Sequence, residues 1–256
     1  MSDETQKSAA NFVVLGAAGG IGSATARQLV SGGARVLLAG RPSDRLTSLA
    51  EELDAPKVEL DALNADDVES AFTTAATEFG EVNGVANCVG SLLLKPVHLT
   101  TDDEWDSTIA TNLRSAFATV KGAAKTMRKG GGSVVLVSSA AARLGFANHE
   151  AIAAAKAGVI GLTLSAATTY APRGIRVNAV APGLVKTELT ESIWSKEASA
   201  KTSEDMHAIG RLGEPEDIAS AICWLLDPAN SWITGEVISV DGGLSHLHPT
   251  VRRKPS

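Results

Sequence analysis

The chain has 256 residues, 44 % of them hydrophobic, a formal net charge of −6 and two cysteines. That length suits one large α/β sheet with a real core, and the negative charge argues against nucleic acid as a partner. Residues 1–11 are polar with no apolar signal core, no run approaches the ~20 apolar residues of a membrane helix, and Cys88 and Cys223 sit in apolar patterns as buried free thiols, so the expectation is a cytoplasmic protein away from membranes.

The first element in chain order is the most telling. Phe12, Val13, Val14 and Leu15 run into Gly16, Gly20 and Gly22, and a helical pattern follows over 21–31. A buried strand that turns through glycines into a helix start has the form of a phosphate cradle. The glycines let the backbone approach a pyrophosphate, and the helix N-terminus offers free N–H groups and partial positive charge. The spacing is Gly-x-x-x-Gly-x-Gly, not the commoner Gly-x-Gly-x-x-Gly, and an ordinary glycine-rich turn is the competing reading.

Further strands are predicted over 35–39, 57–60, 84–88, 133–137, 175–180 and 236–240, with helices over 44–53, 65–79, 102–128, 149–171 and 214–226. The strands are continuous apolar runs, as expected when both sheet faces are covered. Strand–helix alternation of this kind gives an α/β fold, a doubly wound parallel sheet. One long irregular stretch, 184–210, breaks the rhythm. Ligands of such sheets lie beyond the carboxyl ends of the strands, so this insertion reads as a substrate lid. Residues 1–10 and 246–256 read as loose tails around a single domain over 11–245.

Several pieces then line up in order. Asp61 follows the third strand, Asn87 and Gly90 follow the fourth as Asn-Cys-Val-Gly, Asn112 lies in the long helix 102–128, and Ser138 and Ser139 end the fifth strand. Lys156 lies on the next helix, followed by RVNAVAPG from Arg176, RLGEPEDIA from Arg211 and ITGEVISVDGG from Ile233. This order and spacing resembles the short-chain dehydrogenase/reductase family over about residues 10 to 245. The resemblance implies a three-layer Rossmann fold with a seven-stranded parallel sheet. Two departures stand out: Leu15 where Thr commonly precedes the first glycine, and Asn-Cys-Val-Gly in place of Asn-Asn-Ala-Gly.

The resemblance assigns cofactor contacts to Gly16, Gly20, Ile21 and Gly22, to Asp61 at the adenine, to Asn87 and Gly90 at the adenosine ribose, and to Pro182, Gly183, Val185 and Thr187 at the nicotinamide carboxamide. Cofactor choice turns on the end of strand two, where an acid suits NAD and an arginine the extra phosphate of NADP. Here Gly40 stands where NAD-preferring members usually carry Asp, and Arg41 follows it. The expectation is NADP(H), with NAD(H) the alternative.

In the family, tyrosine, lysine, serine and asparagine share the chemistry. Asn112, Ser139 and Lys156 match three of them. Position 152, four before Lys156 and thirteen after Ser139, is Ile. The chain's single tyrosine, Tyr170, lies fourteen helical residues, about 21 Å, beyond Lys156 and cannot substitute. His149, one turn before Ile152 on the same face, is the nearest replacement acid or base. No metal site is expected. Three readings compete: an NADP(H)-dependent carbonyl or alcohol oxidoreductase with a displaced acid, His149 or a held water; an inactive NADP(H)-binding sensor or partner protein; and enone reduction or dehydration on the same scaffold.

The pocket is expected to be lined by Leu92, Leu93, Leu94, Leu144, Phe146, Leu184, Leu189, Ile193 and Trp194, hence to take a small, mostly apolar substrate. The helix around Lys156 is rich in Ala and Gly, which permits close helix approach, and members of this kind pair such helices into homotetramers. The stretch 232–243 is expected to supply a second interface.

Overall fold

The computed structural model describes residues 9–248. Seven parallel strands run in the order β3-β2-β1-β4-β5-β6-β7: β1 Asn11–Leu15, β2 Arg35–Gly40, β3 Lys57–Glu59, β4 Gly84–Asn87, β5 Gly132–Val137, β6 Ile175–Pro182 and β7 Val237–Val240. Along β1, Val13 and Leu15 enter one core cluster while Phe12 and Val14 enter the other. A strand that buries alternate residues on both faces has no polar face to show, which is why the strands read as unbroken apolar runs. The first cluster is closed by α3 (Ala65–Phe79), α5 (Ser115–Thr126) and α6 (Glu150–Tyr170). The second is closed by α1 (Gly20–Ser31), α2 (Asp44–Leu53) and α9 (Pro215–Leu226).

Four boundaries and readings from the sequence need correction. The helix expected over 102–128 is α4 (Asp102–Ile109), a π-helical segment Ala110–Arg114, and α5. Apolar periodicity runs through all three, so it cannot register a change of hydrogen-bond step. The stretch 184–210 is not irregular throughout: it holds α7 (Glu191–Trp194) and α8 (Glu197–Met206). No residue of α8 is buried, so it lacks the apolar face that marks a helix in sequence. One helical stretch, Glu150–Arg173, does have the length and mean hydropathy of a membrane span, at 1.5. It packs against β6 and carries the buried Lys156, as a core helix does. Finally, Ala10 and residues 246–248 are tied to the fold, through Arg35 N–H to Ala10 O at 2.9 Å and Leu247 N–H to Gly243 O at 2.9 Å. The rest of the two expected tails, 1–8 and 249–256, lies outside the described residues.

The strand order reverses between β1 and β4, which flank each other in the sheet. There the glycine turn after β1 meets the chain leaving β4. Gly16 has φ +73°, and a Cβ on it would lie 2.9 Å from both Cys88 C and Val89 N. This is the crevice where doubly wound sheets hold ligands.

Candidate active site

The turn from β1 into α1 fits a dinucleotide pyrophosphate. Gly19 caps α1 with no side-chain hydrogen bond, so the first N–H groups of the helix stay open to an anion. A Cβ on Gly22 would sit 2.2 Å from Gly16 O, so the turn admits only glycine there. A Cβ on Gly20 would meet Thr187 Cγ2 at 2.7 Å, which brings the root of the lid down over the turn. At the end of β2, a Cβ on Gly40 would meet nothing closer than 3.9 Å. Packing therefore does not exclude an acid at that position. Arg41 is exposed and has no partner among the described residues, whereas Arg45 is ion-paired with Glu188 of the lid.

Two predicted ribose and adenine contacts are partly committed elsewhere. Asn87 is buried; its Oδ1 accepts from Val89 N–H at 2.9 Å and its Nδ2 donates to Thr119 Oγ1 at 3.0 Å. Its side chain ties β4 to α5. Asp61 Oδ1 accepts from Leu63 N–H at 3.0 Å, and the cap of α3 is Asn64 instead.

Beyond the turn lies a cavity of about 380 Å³. It brings together Asn112, Ser139, His149, Ile152 and Lys156 with Ile21, Gly90, Pro182, Gly183, Val185 and Thr187. Gly16, Gly20, Gly22, Arg41, Asp61 and Asn87 fall outside it, in the turn and along the strand ends that lead to it. Of the expected lining, Leu92, Leu94, Phe146, Leu184, Leu189 and Ile193 reach the cavity, while Leu93, Leu144 and Trp194 do not. Trp194 instead donates its Nε1–H to Thr187 O at 2.9 Å, bracing the lid.

Each polar group on the wall has a definite state. Ser139 caps the 3-10 turn Ala140–Ala142, and its Oγ accepts from Ala141 N–H at 3.1 Å. The hydroxyl proton is thus left to donate elsewhere. Lys156 is 6 % exposed and donates one Nζ–H to Val137 O at 2.8 Å, two residues before Ser139. Burial pushes its ammonium down to about 8, and among the described residues no carboxylate lines the cavity to oppose that. Asn112 sits in the π segment and is spent on protein: Nδ2 donates to Thr108 O and Ser91 Oγ, and Oδ1 accepts from Ser91 N–H. It stands behind Gly90, whose Cβ position lies 3.3 Å from Asn112 Oδ1 and 3.7 Å from Lys156 Nζ.

His149 bonds Ala147 O through Nδ1 at 2.8 Å. A carbonyl only accepts, so Nδ1 carries a proton. Ile152, one turn on, is 4 % exposed and presents only hydrocarbon. Sequence reasoning missed a second histidine, His207 at the end of the lid. It is 3 % exposed, accepts from Leu184 N–H at Nε2 (3.2 Å), and donates from Nδ1 to Ser203 O (2.6 Å). The bond to Leu184 spans 23 residues, so no local pattern announces it. Both cysteines are free, and burial pushes both thiols up to about 12, which keeps them protonated at neutral pH.

The comparisons agree with this architecture. A family profile described as enoyl-(acyl carrier protein) reductase matches residues 16–245. A 3-oxoacyl-[acyl-carrier-protein] reductase of Vibrio harveyi is 38 % identical over 236 residues, covering 91 % of this chain and 96 % of that one. A cis-4-hydroxycyclohexanecarboxylate dehydrogenase of Sinomonas cyclohexanicum is 39 % identical over 238 residues, covering 90 % and 94 %. A short-chain type dehydrogenase/reductase from Mycobacterium ulcerans superposes with a TM-score of 0.90 at 31 % identity, covering 94 % of this chain and 91 % of that one. With a switch-point crevice, a glycine turn and matches of this extent, the chain belongs to the short-chain dehydrogenase/reductase family of oxidoreductases.

Proposed function

We propose that this protein is an NADP(H)-dependent oxidoreductase acting on the carbonyl or alcohol of a mostly apolar small molecule, without the family's usual tyrosine. The observation that carries the reading is the convergence of Ser139 and Lys156 on one apolar cavity that opens from the glycine turn. A bound nicotinamide dinucleotide supplies or takes the hydride. Gly16, Gly20, Ile21 and Gly22 cradle its phosphates, with Asp61, Asn87 and Gly90 along its adenosine half. Pro182, Gly183, Val185 and Thr187 face its nicotinamide. NADP is favoured over NAD because the end of β2 offers the unpaired Arg41 and no carboxylate. Lys156 holds the nicotinamide ribose, and Ser139 donates its free O–H to the substrate oxygen. Asn112 holds the wall behind Gly90. His149, one turn before Ile152 on the cavity wall, exchanges the proton. The working assembly is a cytoplasmic homotetramer.

The test is NADPH and NADH oxidation over apolar ketones, aldehydes and enones, with wild type, Ile152→Tyr and His149→Phe side by side. The expected outcome is turnover that prefers NADPH, a gain for Ile152→Tyr within the ~10²–10⁴-fold worth of a positioned acid, and a loss for His149→Phe. Saturable NADPH binding with no turnover of any acceptor overturns the enzymatic reading in favour of a binding protein. Reduction of carbon–carbon double bonds alone moves the assignment to enone reduction, the chemistry in the description of the matching profile.

A further inference from the structure

The lid is fixed at both ends and tied at its leading edge. Its root is stitched to the loop before α9: Gly213 N–H donates to Leu184 O at 2.9 Å, Lys186 N–H to Gly213 O at 2.8 Å, and Lys186 Nζ to Glu214 Oε1 at 2.8 Å. Its far end is held by the buried His207, which accepts from Leu184 N–H, and by Ile209 N–H to Gly242 O at 3.1 Å. The span between, the 3-10 turn Glu188–Thr190 with α7 and α8, buries no residue. Little apolar burial therefore holds that span down, which is the condition for a segment that opens locally. At its leading edge Glu188 ion-pairs with Arg45 in the first turn of α2, 143 residues away in sequence.

The pair crosses the path a dinucleotide follows. The adenosine half belongs at the end of β2, beyond Gly40 and Arg41, and the nicotinamide half at the cavity that Lys156 and Gly183 line. A molecule joining the two passes over the glycine turn and the N-terminus of α1. Thr187 stands over that N-terminus, 2.7 Å from the Cβ position of Gly20, and Glu188 is the next residue. Arg45 stands on the opposite bank, on α2. We infer that Arg45 and Glu188 form a strap across the dinucleotide crevice, which opens for each entry and each exit and so sets the exchange rate while leaving the affinity unchanged. The inference rests on the dinucleotide-dependent reading above and deepens it. It is independent of the choice between NADP and NAD, because the pyrophosphate beneath the strap is common to both. The closed pair carries no net charge, so it neither holds nor repels the phosphates. Its side chains keep 49 % and 72 % of their surface exposed, and an ion pair so open to water is a weak bond, one that gates rather than clamps.

The test is stopped-flow binding of NADPH and of NADH to the full chain, read by nicotinamide fluorescence and needing no turnover. Wild type is compared with Glu188→Gln, Arg45→Gln, the double glutamine variant and the exchanged pair Arg45→Glu/Glu188→Arg. In Glu188→Gln the association and dissociation rates are both expected to rise ~1.5–5-fold, the span of an exposed ion pair, while Kd stays within about twofold. The double glutamine variant is expected to be no faster than either single one, because the strap is lost only once, and the exchanged pair to return to the wild-type rates. The same ratios are expected with both dinucleotides. A faster dissociation alone, with Kd rising in step, marks a direct contact with the ligand and overturns the strap. Unchanged rates in Glu188→Gln, additive gains in the double variant, or a gain with NADPH but none with NADH overturn it as well. All of these leave the oxidoreductase reading standing, whereas failure of the wild type to bind either dinucleotide overturns both.

Discussion

Lys156 is a buried cation that costs the fold stability. A lysine moved from water to a buried wall with one acceptor drops from 10.5 to about 8. At ~1.36 kcal/mol per unit that is about 3 kcal/mol of stability forgone. The sign is set by the lowered folded value: below pH 8 both states hold the proton and the whole penalty is present, and between 8 and 10.5 the folded state sheds it first, so stability rises with pH. Lys156→Met is therefore expected to raise the unfolding free energy by about 3 kcal/mol at pH 7, with the gain shrinking as pH passes 8 towards 10.5. Urea unfolding at pH 7 and pH 9.5 reads this directly; an equal gain at both pH values shows that packing, not charge, sets the effect. The identity of this residue was legible in sequence, since its spacing from Ser139 matched a family pattern. Its state was not. Burial, the single acceptor at Val137 and the carboxylate-free wall all come from other elements.

At the scale of elements, the glycine turn was the most legible feature because its constraint is local. The close approach of Gly22 to Gly16 spans six residues and leaves room for no Cβ. Gly22→Ala is expected to keep the sheet but weaken NADPH binding by roughly tenfold or more, since the shifted turn withdraws the N–H groups of α1. Fluorescence titration checks this, and unchanged affinity would show that the dinucleotide does not use the turn. The lid was legible only as a break in rhythm. Its helices α7 and α8 bury no residue, and the stretch is held by contacts such as Leu184 N–H to His207 Nε2, whose partners lie 23 residues apart and form no local pattern. The π segment around Asn112 was hidden for a related reason: a one-residue change in hydrogen-bond step leaves the apolar face almost unmoved.

At the scale of the molecule, the outer face of α6 asks for a partner. Ala154, Ala157, Gly161 and Leu164 are exposed on the face turned away from the sheet, and Leu164 keeps 51 % of its surface. Phe117 on α5 keeps 53 %, and Trp232 before β7 keeps all of it. A helix that is apolar on both sides buries both in its working state. The expectation is a homotetramer, so light scattering at micromolar concentration should give about four times the chain mass of 26.3 kDa, and Leu164→Glu should lower it. A monomer mass for the wild type overturns the assembly.

What the sequence alone determined is whatever short-range chemistry or alternation encodes: the strands, with the central ones buried on both faces, their chain order, and the glycine turn after the first of them. Backbone sterics and the burial of apolar runs act over a few residues, so they survive in the one-dimensional pattern. What only the tertiary structure decided is the character of the site. The state of Lys156, the bond from Leu184 N–H to His207 Nε2, the commitment of Asn87 to Thr119 and of Asn112 to Ser91, and the cavity wall that includes Ile152 but excludes Leu93 and Trp194 all depend on groups brought together from separate segments. Hydrogen bonds and desolvation are set by neighbours in space, and those neighbours exist only once the sheet has formed.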